Sequence, residues 1–136
     1  MGRRLIEVEA DIGFEVWSET IEGLFREAAL ALYHIMVDVS KVEPVTSREV
    51  KLEASDLSML LHSWLSELLF ITDVEGLVFS EFDVKIEDNR LEAVCRGEEI
   101  NPEKHSPKTE VKAITYHRLS VKKENGTWRA TVIVDL

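Results

Sequence analysis

The sequence predicts an α+β domain in two layers, a largely antiparallel β-sheet with two main helices packed on one face. Three observations predict it. Apolar residues recur with a period of two near both ends and with a period of 3.6 in two long inner stretches. The order runs strands, helix, strand, helix and then a series of hairpins, with no βαβ alternation. Asp88-Asn89 and Asn125-Gly126 each separate two alternating segments by two residues, the hairpin spacing.

Residues 3–9 and 13–18 read as short strands meeting at Asp11-Ile12-Gly13. From Thr20, a suitable N-cap, Ile21, Leu24, Phe25, Ala28, Leu32, Ile35 and Met36 form one stripe of an amphipathic helix. Glu43-Pro44 closes that region, and residues 45–53 return to alternation as a strand. Ser55 and Asp56 offer cap chemistry for a second helix running to about Asp73, and Gly76 stops it. Its leucines and Trp64 form a broad core stripe rather than a partner groove. Residues 79–87 and 90–98 make a hairpin; residues 98–108, with Pro102 and Pro107, make a long loop in which His105 is expected to be mobile. A strand over residues 111–117, extending towards Lys123, precedes the Asn125-Gly126 hairpin.

At 136 residues and 45% hydrophobic, the chain suits one domain, spanning residues 1–136. It contains no run of 18 consecutive apolar residues and no signal-like core after Gly2-Arg3-Arg4, so a cytoplasmic protein without a membrane partner is expected. A net charge of −10 opposes tight direct binding to nucleic acid, whose affinity rests on Lys and Arg displacing counterions. Cys95, alone and within an alternating apolar run, reads as a buried inert thiol.

Two clusters carry chemistry. Asp135 stands at the end of a strand rich in β-branched residues, next to the main-chain oxygens of Leu136. If the first and last strands are neighbours, Asp11, Asp135 and Leu136 offer only hard oxygen ligands, suited to calcium or magnesium. Gly13 would let the chain turn tightly beside Asp11. An Asx turn joining two strands needs no ion and is the simpler reading of the residues alone. The second cluster, residues 108–117, mixes Lys112, Tyr116 and His117 with small apolar residues and fits a core-in, water-out strand poorly. His34, His62 and His105 lack metal-pair spacing, and no Gly-rich phosphate loop, GxSxG or HExxH occurs. No catalytic residue is assigned.

Four ordered segments resemble the archease family: Ala10-Asp11-Ile12-Gly13 ahead of an Ala- and Leu-rich helix, the stretch 60–69 beginning Leu60-Leu61-His62-Ser63-Trp64, the stretch 110–117 beginning Glu110-Val111-Lys112-Ala113, and the terminal Val134-Asp135-Leu136. The resemblance covers essentially the whole chain. It implies a non-enzymatic activator of the RtcB-type tRNA-splicing ligase that promotes guanylylation and repeated turnover. It also implies a divalent-cation site, calcium foremost and magnesium second, at Asp11, Asp135 and Leu136, with Lys112 as a functional residue and Glu110 and His117 beside it. Many relatives have His-Thr before Ala-Asp, where this chain has Val8-Glu9, so a histidine is replaced and an acid is added. The competing expectations are a metal-dependent phosphohydrolase or nucleotidyl transferase using the same acids, and a chaperone-like module using its apolar helix face.

Overall fold

The computed structural model describes residues 1–8 and 11–136, with side chains for residues 1–6 and 11–136. The described elements are β1 (Gly2–Val8), β2 (Asp11–Ser18), α1 (Ile21–Met36), a single 3-10 turn (Val39–Lys41), β3 (Thr46–Glu53), α2 (Leu57–Glu75), β4 (Leu77–Glu87), β5 (Arg90–Glu99), a one-turn helix α3 (Pro102–His105), β6 (Ala113–Ile114), β7 (Ser120–Glu124) and β8 (Thr127–Asp135). The α+β class and the antiparallel pairing hold. The strands divide into two sheets, one ordered β1-β2-β8-β6 with β7 also on β8, the other β3-β5-β4.

Both helices begin where their cap residues dictate. The Thr20 hydroxyl accepts the Gly23 N–H at 3.0 Å, and the Asp56 carboxylate accepts the Met59 N–H at 2.9 Å, each filling one of the donors a helix start leaves open. Gly76 ends α2 in the left-handed region at φ 70°, open to any glycine and costly for a side chain. α1 packs on β2 and β4, and α2 touches β3, β4, β6 and β7, so each helix bridges the two sheets. α2 is 19 residues long with mean hydropathy 1.2, enough by length and composition to cross a membrane. Its Leu60, Leu61, Trp64, Leu65 and Leu68 are instead fully buried in the domain core, which makes it a core helix. The Trp64 indole N–H donates to the Phe25 carbonyl at 3.0 Å, fixing one helix against the other.

Three local expectations are corrected. Asp11-Ile12-Gly13 lies inside β2 rather than between two strands; residues 9–10 lie outside the described residues. The expected strand over residues 111–117 pairs only at Ala113 and Ile114, because the next residues turn through Arg118 at φ 55° before β7 begins. The Pro-flanked segment holds a helical turn rather than a mobile histidine: His105 is fully buried, its Nδ1 accepting the Asn101 N–H at 2.9 Å and its Nε2–H donating to Glu98 at 3.0 Å. Cys95 is fully buried as expected, and burial pushes its thiol up to about 12.

Candidate functional site at the end of the five-stranded sheet

Chain order alone leaves Asp11 and Asp135 far apart; sheet order makes them neighbours. β2 and β8 pair antiparallel, with Ile12 opposite Val134. One step further along each strand sets Asp11 against Asp135, and Ala113 on β6 pairs with Asp135 from the other side. Directly opposed residues share a face and have Cβ atoms roughly 5 Å apart. The two acids therefore stand side by side at one end of the sheet face opposite the helices, Asp11 half-buried and Asp135 exposed. Two adjacent carboxylates repel unless water, a base or a cation intervenes. No ion pair to either is present among the described residues.

The row beneath sets this pair in place. Gly13 lies opposite both Ile6 and Ile133. A Cβ on Gly13 would lie 2.5 Å from Cδ1 of Ile133, 2.7 Å from the Val132 carbonyl oxygen and 3.0 Å from Ile6 Cγ1. The glycine is thus needed for the close approach of β2 to β8 and for the fully buried Ile133, rather than for a turn.

Lys112 enters through the backbone. Its N–H donates to the Asp135 carbonyl at 2.8 Å, and the Thr115 N–H and hydroxyl both donate to the Ile133 carbonyl, at 3.0 and 2.9 Å. The Lys112 side chain is exposed, and Ala113, the residue paired with Asp135, is the one that shares the Asp135 face. Leu136 follows Asp135 directly and is half-buried against the core. Glu110 and His117 are also exposed, on either side of the short β6; the structure gives their side chains no partner among the described residues. His117 is anchored only through its N–H, which donates to the Thr115 hydroxyl at 3.2 Å.

Sequence reasoning missed one contact. His62 on α2 donates its Nε2–H to the Ile114 carbonyl at 2.8 Å, and its ring stacks on Tyr116 with centroids 4.0 Å apart and planes within 10°. A carbonyl can only accept, so this bond fixes the Nε2–H tautomer. The helix thereby grips the free edge of β6, and the 112–116 segment that carries Lys112 is held from both sides. Both residues lay in segments singled out above, but a helical and a strand position say nothing of each other until the fold joins them.

The donor set at the tip is made of oxygen alone, which suits a hard divalent cation. Among the described residues no three His, Cys, Asp or Glu side chains form a ligating group, so Asp11 and Asp135 would need main-chain oxygen, such as that of Leu136, or water to complete a shell. Glu9, the other acid of this region, lies outside the described residues. Surface hollows of about 360 and 550 Å3 lie instead on the three-stranded sheet, at Glu49, Lys51, Asp83, Lys85 and Glu92, and none of the residues above lines them.

The sequence pattern of the archease protein family matches residues 4–136. A protein named archease from Thermococcus kodakarensis is 48% identical over 135 residues, covering 96% of this chain and 95% of its own length. The archease of Methanothermobacter thermautotrophicus is 41% identical over 139 residues and covers 99% of each chain. The solution structure of Methanobacterium thermoautotrophicum protein 1598 superposes with a TM-score of 0.88 at 42% identity over 99% of both chains. The crystal structure of a Thermotoga maritima archease, described there as a possible chaperone, covers 96% of this chain and 94% of its own with a TM-score of 0.68; at 22% identity it speaks for the fold alone. Family pattern, near-complete relatives and shared fold agree over the whole length, and this chain belongs to the archease protein family.

Proposed function

We propose that this protein activates an RtcB-type tRNA-splicing ligase, promoting the ligase's guanylylation and its repeated turnover, and that it does so from the acid-tipped end of the five-stranded sheet. The observation that carries the reading is the register that sets Asp11 opposite Asp135, with Lys112 tied to the Asp135 carbonyl. Asp11, Asp135 and the main-chain oxygen of Leu136 would hold a divalent cation, calcium before magnesium, since the donors are all hard oxygens. When bound, the cation supplies positive charge where an acidic protein meets nucleotide phosphates or ligase carboxylates. Lys112, tied to Asp135 through its backbone, would offer an exposed, strongly hydrated ammonium at the same end of the sheet; Glu110 and His117 lie on either side of β6. Membership of the archease family supports this reading.

The test is multiple-turnover RNA ligation by the cognate ligase with GTP, with and without this protein. Wild-type protein should raise the number of product molecules per ligase well above one. Asp11→Ala, Asp135→Ala and Lys112→Ala should fold normally by circular dichroism and lose most of that stimulation. Full stimulation by a folded Asp11→Ala/Asp135→Ala protein refutes the proposal. Phosphate or pyrophosphate release from GTP by this protein alone would point instead to an enzyme.

A further inference from the structure

The average charge of this chain conceals a local reversal. Of its 16 Lys and Arg and 26 Asp and Glu, five bases and a single acid fall within residues 112–129. That segment is positive within a protein that is strongly negative elsewhere. The strand register shows where two of its cations go. Arg129 on β8 is opposite Lys122 on β7 and Trp17 on β2, and Trp17 is opposite Gly2 on β1. Directly paired residues share a face, so Lys122, Arg129 and Trp17 form one row. Their face is opposite the helices: Val16, Ala130 and Val132 between them point inward and are buried.

One feature of this row carries a cost that an anionic occupant would relieve, and a second offers such an occupant a flat ring. Like charges directly opposite one another destabilise a sheet. Six cations of this chain, Arg3, Arg4, Arg48, Arg90, Arg96 and Lys104, pair with a carboxylate; what sets Lys122 and Arg129 apart from the other cations unpaired among the described residues is that the strand register sets them directly opposite each other. Lys122 and Arg129 face each other, both exposed, with no ion pair among the described residues. Glu124, one row beyond at the hairpin end, bonds to neither, and Glu15, one row the other way, is committed to Arg4. Beside them the half-exposed Trp17 indole lies against Gly2, whose missing side chain leaves room for the ring. Thr131 and Ser120 extend the surface with hydroxyls.

We propose that this face of the five-stranded sheet binds a single-stranded nucleic acid, with phosphates on Lys122 and Arg129 and a base stacked on Trp17. An open antiparallel sheet carrying cations and an aromatic ring supplies the two elements of sequence-tolerant single-strand binding. The net charge does not forbid it. The acid pair stands six residues along β8 from Arg129, roughly 20 Å at strand rise, and charges beyond the Debye length of about 8 Å at physiological salt are largely screened. The inference does not rest on ligase activation, and its test contains neither ligase nor divalent cation.

The measurement is fluorescence anisotropy of a labelled twelve-residue oligouridine titrated with this protein in EDTA, over 100–300 mM salt, where the acid tip is screened. Binding should weaken with salt at a log–log slope of about −1.4, two phosphates at about 0.7 each for a single strand. Lys122→Glu/Arg129→Glu should lose binding at least tenfold. Trp17→Ala should weaken it several-fold at unchanged slope, while Trp17→Phe, which keeps a stacking ring, should stay near wild type. Lys51→Glu/Lys85→Glu on the three-stranded sheet should bind as wild type does. Three results overturn the proposal: no binding by wild type at 100 mM salt, undiminished binding by a folded Lys122→Glu/Arg129→Glu protein, or displacement of the RNA by polyglutamate as readily as by unlabelled oligouridine. The last would assign the face to an acidic protein partner.

Discussion

Gly13→Ala probes the acid tip without touching an acid. The new methyl carbon would meet three neighbours at 2.5, 2.7 and 3.0 Å, where ordinary contact begins near 3.4 Å. The Ile6 and Ile133 contacts are with side-chain atoms and can be relieved by rotamer changes. The Val132 carbonyl cannot, since it belongs to the strand that β2 pairs with. Overpacking of this kind costs about 1–3 kcal/mol, and alanine returns about 0.4–1 kcal/mol by restricting the unfolded chain. At the middle of both ranges the net loss is about 1.3 kcal/mol, read as a lower urea midpoint at unchanged m-value. Ile133→Val removes the Cδ1 atom, so adding it to Gly13→Ala should recover less of the loss than the side-chain contact alone would suggest. Because Asp11 lies two residues from Gly13 on the same face, the variant should also displace it from Asp135. A Gly13→Ala protein within 0.3 kcal/mol of wild type would show that the β2–β8 approach is loose and that the glycine has no bearing on the site.

Three further perturbations test other joints of the structure. Glu98 accepts the Glu43 N–H at 2.7 Å and binds Lys104 and His105, which together hold its carboxyl down to about 2; a lowered folded pKa gives stability that is complete above the usual carboxylate range and is lost as pH falls towards 2. Glu98→Gln should therefore flatten the acid limb of a stability–pH curve below about pH 4.5, and an unchanged limb would contradict the assignment. Tyr33→Phe removes a buried hydroxyl that bonds Thr72 at 2.8 Å and the Leu68 carbonyl at 3.3 Å, at a cost of about 0.5–1.5 kcal/mol by chemical denaturation. His62→Ala should speed hydrogen exchange at the Lys112 and Thr115 amides while leaving the β2–β8 amides protected, and equal exchange in both proteins would show that α2 does not hold the β6 segment.

What the sequence disclosed follows the range over which its signals act. Thr20, Asp56 and Gly76 act within one turn of their helices and were legible as caps and stop. The Asn125-Gly126 hairpin was equally local, since both residues take the positive φ that the turn demands. The 111–117 segment misled because alternation records which side chains are buried, not which backbone groups are paired. Val111 and Ile114 are both buried although they are three apart, an odd spacing that a continuous strand does not allow. His105 misled for a related reason. A proline-flanked polar stretch looks solvated, yet here its backbone returns to α1, with the Lys108 N–H on the Met36 carbonyl and the Asp38 N–H on the His105 carbonyl.

The acid pair lay between these extremes. No local rule joins residue 11 to residue 135, and the residues alone favoured a turn over a ligand. Topology settles their proximity: β8 lies in the middle of its sheet, between β2 on one side and β6 and β7 on the other, so its ends meet partners drawn from both extremities of the chain. The same central strand carries Asp135 at one end and Arg129 near the other, on one face, separated by Ile133 and Thr131. A total charge of −10 sums over this polarity and hides it. Because surface charges act over roughly a Debye length of 8–10 Å, an approaching partner meets the two ends as separate surfaces of opposite sign, and a substitution at one should leave binding at the other intact.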